Sequence, residues 1–276
     1  MVNQFSCSLV AAILSHRNKN YQNMKKSITS KLTLKSAIMA LIAGIIFFTS
    51  CSSDDADEPV VFVIDEGDAA EFVAVVLSVN TYGFSANAIH VSEVVADNMT
   101  CGSQSQDSEI IKKTSLDGTV TYNYAFDESY TYSCDVPGGS VTYSFLAEQQ
   151  LSTASSYVDS DISGIWTVSD IDNSEPSYML SGIYKQNSDR DLTTDELPSA
   201  FITTDLYFTD LKIEKETGYL IGGTSQFELA WRQIDSDGQV FQGTINFSDP
   251  EATEVIFTDG GTYVLNMLTG EITKAQ

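Results

Sequence analysis

From Thr119 to Leu268 apolar and polar residues alternate in short runs, and turn residues separate the runs. A period of two is what a half-buried β-strand requires. Val120, Tyr122, Tyr124 and Phe126 alternate with Thr119, Thr121, Asn123 and Ala125. Tyr130, Tyr132, Cys134 and Val136 follow, and after Pro137-Gly138-Gly139 the next run opens with Val141, Tyr143 and Phe145. Further strands are expected at 162–171, 178–184, 201–213, 219–234, 239–247, 253–257 and 262–268, with 186–198 as the longest loop. Turns such as Glu216-Thr217-Gly218, Asp259-Gly260-Gly261 and Thr269-Gly270 are too short for a crossover, so the strands they join must pair antiparallel. No helical repeat after Cys101 is long enough for a βαβ unit.

Helices are expected ahead of the strands. Ala69, Phe72, Val73, Val76 and Leu77 recur at three- and four-residue spacing, which predicts a helix over 68–79 with Asp65 or Asp68 as its cap. Ile89, Val94 and Val95 predict a second helix over 85–98. The expected fold class is therefore mainly β: an antiparallel meander forming a strongly curved sheet or open barrel, with one or two N-terminal helices packed on it. An outer-membrane barrel is a poor fit, because strands bearing Asp205, Asp210, Glu214, Glu228 and Arg232 leave no continuous apolar band for lipid.

The N-terminal fifty residues carry a different signal. Lys25, Lys26, Lys31 and Lys35 precede twelve apolar or small residues, Ala37–Phe48, and then Phe48-Thr49-Ser50-Cys51 and the acidic run Asp54-Asp55-Ala56-Asp57-Glu58. A basic segment, a short apolar core and small residues before a cut describe a secretory signal, and the core is short for a spanning helix. With the cysteine directly after the core, the stretch resembles the lipobox of bacterial lipoproteins, and Ser52-Ser53-Asp54-Asp55 resembles the acidic surface-export tag of Bacteroidota lipoproteins. That resemblance implies cleavage before Cys51, diacylglycerol on its sulfur, and an outer-membrane lipoprotein at the cell surface whose membrane contact is the lipid anchor. Two or more acyl chains make such attachment lasting, where one chain alone is marginal. Met24 starts an ordinary signal of this kind, so 1–50 is read as signal peptide with a true start possible at Met24. Residues 51–66 read as an acidic tether and 67–276 as a single β-rich domain with an N-terminal helical segment. The late segments around Phe241–Ile245, Glu254–Phe257 and Gly261–Leu265, leading to Leu268-Thr269-Gly270-Glu271-Ile272, are similar to the C-terminal hairpins of uncharacterised Bacteroidota lipoproteins, a resemblance that brings no activity with it.

Charge and cysteines narrow the function classes. After Ser50 the chain has eight Lys and Arg against 38 Asp and Glu, a net charge of −30. A surface so acidic repels nucleic acid and anionic headgroups. With Cys51 lipidated and Cys7 upstream, Cys101 and Cys134 remain. In an exported chain such a pair reads as a disulfide; metal ligation is the rival, but two isolated cysteines and one distant His90 make a poor zinc set.

Catalytic constellations are thin. A Ser-His-Asp triad would have to use His90, and no Gly-x-Ser-x-Gly elbow surrounds any serine. No phosphate loop or dinucleotide fingerprint is present, so no cofactor is expected. A glycosidase needs two carboxylates in opposite roles, and 38 acids supply a pair by number alone. Trp166 and Trp231 are the candidate ligand-binding rings, able to stack on sugars from a sheet face, against the alternative that they pack the core. The expectation is a non-catalytic envelope protein with a binding or structural role, its partner a glycan or another envelope protein. The alternatives are a carrier of an apolar ligand in a half-barrel and a carboxylate-dependent glycosidase.

Overall fold

The computed structural model describes residues 63–96, 100–114, 121–135, 138–152, 156–172, 174–192, 199–233 and 237–276. All of them fall within a compact unit spanning Pro59–Gln276. Two helices come first, α1 (Glu66–Leu77) and α2 (Phe84–Ala96). The strands follow: β1 (Gln104–Thr114), β2 (Thr121–Ser133), β3 (Ser140–Ser152), β4 (Ser156–Ser169), β5 (Ser177–Leu192), β6 (Ala200–Glu214), β7 (Leu220–Gln233), β8 (Gln239–Asn246), β9 (Thr253–Phe257), β10 (Thr262–Leu265) and β11 (Ile272–Lys274). They form one 11-stranded antiparallel sheet in which every strand pairs only with its sequence neighbours. β1 and β11 are the free edges, so the sheet is an open, curved meander and not a closed barrel. Among the described residues no helix is long and apolar enough to cross a membrane.

Asp65 sets the start of α1. Its carboxylate accepts from the Asp68 amide at 3.0 Å while the Asp68 carboxylate accepts from the Asp65 amide at 2.9 Å, so two otherwise orphaned donors are satisfied reciprocally. The connection between the helices turns on Gly83, which donates to the Ser78 carbonyl at 3.0 Å. A Cβ there would lie 2.1 Å from the Val76 carbonyl oxygen, so only glycine permits the close approach. Ile64 docks on the body just ahead of α1: its amide donates to Gln239 Oε1 at 2.9 Å and its carbonyl accepts from Gln239 Nε2 at 3.1 Å. Val60, Val61 and Phe62 lie outside the described residues.

The helices cover one face of the sheet, and alternation decides which side chains meet them. On β3 the inward set is Val141, Tyr143, Phe145, Ala147, Gln149 and Leu151. On β6 it is Ile202, Thr204, Leu206 and Phe208, and then, past Asp210, Leu211 and Ile213. Asp210 has φ 55° and sits where the β6–β7 register shifts, so one extra residue flips the parity and keeps apolar side chains inward. The small residues Ala69, Ala70 and Ala74 let α1 lie close to this face. Phe84 of α2 is fully buried, with ring centroids at 5.0 Å from Phe208, 5.5 Å from Trp166 and 5.6 Å from Tyr184.

Two segments differ from the sequence reading. The expected loop 186–198 is strand as far as Leu192. Its inward residues there are polar, so the usual apolar signal is missing: Gln186 accepts from the Tyr184 hydroxyl at 3.0 Å, and the hydroxyls of Ser188 and Ser160 lie 2.9 Å apart. Residues 193–198 lie outside the described residues. β1 was not expected as a strand. It is exposed along nearly all its length and is polar because it is an edge, where charges such as Lys112 and Lys113 discourage pairing with another chain.

Candidate functional site

Eleven strands present a longer inner face than two helices can cover. α2 reaches β2 through His90 and Asn87, and among the described residues none covers the sheet beyond it at β1. The gap is a cleft of about 1100 Å³ walled by α2, the α1–α2 connection, β1 and β2. That is at the upper end of small-molecule sites, which run to about 1,000 Å³. Alternation places Glu109, Ile111 and Lys113 of β1 in register with Phe126, Tyr124 and Tyr122 of β2, so both rows reach the same cleft.

The floor is aromatic. The half-buried Tyr82 ring lies 5.5 Å from Tyr122 and 5.1 Å from Tyr124, and the ammonium of Lys113 stands 5.1 Å above Tyr82. The buried Tyr124 hydroxyl donates to Asn87 Oδ1 at 2.9 Å, and burial raises its pKa well beyond the physiological range. Polar groups of Asn80, Thr81, Glu93 and Glu109 ring the floor. Flat apolar rings among donors and acceptors suit a ligand that is apolar on its faces and polar at its edge.

At one end His90 Nε2 meets Glu128 Oε2 at 2.8 Å, and the Tyr143 hydroxyl donates to the same oxygen at 2.6 Å. Glu128 is 8 % exposed. Burial works against its charge, but the hydrogen bonds from His90 and Tyr143 and the charge of His90 outweigh it and hold the carboxyl below its ordinary 4.5. Burial likewise works against a charged His90. Its bond to Glu128 and the charges of Glu128, Glu93 and Glu109 prevail and raise it above 6.5. The pair therefore contributes fully between about 4.5 and 6.5. It is lost as pH falls through the lowered Glu128 value, and again as pH rises through the raised His90 value. In an NMR titration of the full chain, the His90 midpoint is expected above 6.5 in the native protein and lower in Glu128→Gln, where the attraction goes and the burial cost stays. An unmoved midpoint in the variant would remove Glu128 as the cause.

Glu128 held as a carboxylate lacks the proton that a general acid must give. The other cleft carboxylates, Glu93 and Glu109, are exposed. His90 faces a carboxylate and the edge of Phe126, at 5.2 Å, and among the described residues no serine hydroxyl bonds to it.

The rings singled out from sequence are elsewhere. Trp166 is 0 % exposed, and its Nε1 donates to the Ile183 carbonyl at 3.0 Å. It lines neither the cleft nor the small cavity beneath α1, so the expectation that it stacks on a sugar is corrected: inward parity on β4 makes it a core ring. Trp231 is 2 % exposed and sits beneath α1, with its ring 5.0 Å from Phe72. It too shows no face to an external sugar, although it borders a small internal pocket. Cys101 and Cys134 are joined as a disulfide with Cα atoms 5.6 Å apart. Residues 1–62, which include Cys51, the stretch read as a signal peptide and most of the expected tether, lie outside the described residues.

The cleft residues Tyr82, Lys113 and Tyr122, and Glu128 behind His90, do not stand out as site residues in the sequence. One signal was present: Glu128 falls in phase with Tyr122, Tyr124 and Phe126, a carboxylate on an otherwise apolar face. Comparison with family models, with curated proteins and with solved structures finds no match for this chain.

Proposed function

We propose that the protein is a lipid-anchored component of the cell envelope, held at the outer-membrane surface through Cys51, and that its non-catalytic role is to bind a glycan in the cleft between α2 and the β1–β2 edge. One observation carries the binding part: the uncovered end of the inner face is lined by the tyrosine rings of residues 82, 122 and 124 and rimmed by amide, hydroxyl, carboxylate and ammonium groups. Sugars present the matching pattern, with C–H faces for rings and hydroxyls at the edge. The anchoring part rests on the charge and hydropathy pattern before and after Cys51.

The test is a glycan array followed by titration of the best ligand. Tyr82→Ala and Tyr122→Ala are each expected to weaken binding by roughly tenfold, about 1.4 kcal/mol, within the range for a lost aromatic contact. Tyr207→Ala, an exposed ring on the outer face, is expected to change nothing. A silent array, or equal loss in all three variants, would refute the site. Radiolabelled palmitate is expected on the native chain and not on Cys51→Ser; label on neither would refute the anchor.

A further inference from the structure

A second cavity, of about 200 Å³, lies beneath α1 on the far part of the inner face. Its walls are chiefly apolar, from Phe72, Val75 and Val76 of the helix and Leu151, Val158 and Ile202 of the sheet. Two donors break that pattern. Trp231 lines the cavity and is 2 % exposed, yet its Nε1–H has no acceptor. It is one of two such buried side-chain atoms among the described residues. Buried N–H groups almost always find a partner, so an orphan of this kind calls for an explanation.

The second donor is Arg190. Its guanidinium is half-buried and lies 4.8 Å from the centroid of the Phe72 ring, which in turn leans on Trp231. Among the described residues it enters no ion pair, although the mature chain has 38 acidic residues to offer. Asp68 and Glu71 stand on the helix rim and attract it without bonding to it. The polar floor nearby is already satisfied: Gln186 Nε2 donates to the hydroxyls of Ser160 and Ser188, each at 3.3 Å. What the cavity lacks is an acceptor, preferably charged, carried on an apolar body.

We infer that this cavity is a binding site for a small apolar monocarboxylate, its carboxylate taken by Arg190 and the Trp231 indole N–H and its apolar body held between α1 and β3–β6. A guanidinium binds carboxylate through paired N–H donors, and the indole adds a donor that is already desolvated. A dry protein cavity of about 150 Å³ accepts benzene, so this volume suits a ring with a short acid arm or a short aliphatic acid. Long-chain lipids do not fit it. The site is separate from the tyrosine cleft and stands whether or not that cleft binds glycans.

Phenylacetate is the probe, and the two tryptophans make the readout simple. In the ¹⁵N-labelled full chain, phenylacetate is expected to move the Trp231 indole N–H resonance saturably downfield and to leave that of Trp166, already bonded to Ile183, in place. Arg190→Gln is expected to weaken binding at least tenfold, as is replacing the probe by neutral phenylacetamide. Val75→Phe, which fills the cavity without altering charge, is expected to abolish the shift, and Tyr82→Ala in the other cleft is expected to leave it unchanged. An unchanged Trp166 resonance shows that each variant is folded. A stationary Trp231 resonance at saturating probe, phenylacetamide binding as tightly as phenylacetate, or full binding by a folded Val75→Phe would each overturn the assignment.

Discussion

Trp166→Ala is expected to lower the free energy of unfolding by about 3–5 kcal/mol, the cost of emptying a large, fully buried aromatic site. Its indole touches rings on every side, with centroids at 5.1 Å for Phe145, 5.5 Å for Phe84, 5.8 Å for Tyr143 and 6.0 Å for Phe208. These neighbours come from α2, β3 and β6, so the cavity cannot be closed by the movement of one element. The Ile183 carbonyl would also lose its indole donor. For a domain of this size the melting temperature is expected to fall on the order of 10 °C. Ile165→Ala, one residue away but 67 % exposed on the outer face, is the control and is expected to stay within about 0.5 kcal/mol of the native protein. Urea denaturation of both variants checks the contrast. Equal midpoints would mean that Trp166 is not the centre of the core. Below its melting temperature, Trp166→Ala is expected to keep the cleft and its binding, because the ring is not part of that wall.

Opening the disulfide is expected to cost nearly as much. Cys101 and Cys134 are 33 residues apart, and closing a loop of that length is worth about 3–4 kcal/mol in the chain-entropy account. The bond ties the approach to β1 to the end of β2. Among the described residues β1 has no other strand neighbour, and most of its side chains are exposed, so little else there holds it. The double variant Cys101→Ser, Cys134→Ser is therefore expected to unfold at lower denaturant and to lose hydrogen-exchange protection first along β1–β2. Since Glu109, Ile111 and Lys113 form one wall of the cleft, binding there is expected to weaken as well. A variant whose stability and β1 protection match those of the native chain would show that hairpin pairing alone secures the edge.

The fold was legible in the sequence wherever burial and alternation agreed. Val141, Tyr143 and Phe145 on β3, and the helical spacing of Ala69, Val73 and Leu77, each announce an element and the face it buries. Legibility failed where a strand did not bury apolar residues. β1 is polar because it is an edge, and the end of β5 is polar because its inward residues bond to each other beneath α1. The candidate sites were legible only in part. A period of two says that Trp166 and Tyr122 lie on sheet faces, and it cannot say which of them the helices will cover.

What the sequence alone determined is the antiparallel meander, since tight turns between alternating runs allow no other pairing, together with the disulfide partners and the lipobox-like stretch around Cys51. The tertiary structure decided where that meander is left open. Among the described residues, two helices of 12 and 13 residues cover the inner face only in part, which buries Trp166, leaves Tyr82 and Tyr122 at a cleft, and leaves the Trp231 N–H without an acceptor. Such outcomes depend on how far one element reaches across another, a distance in space that no local run of residues encodes.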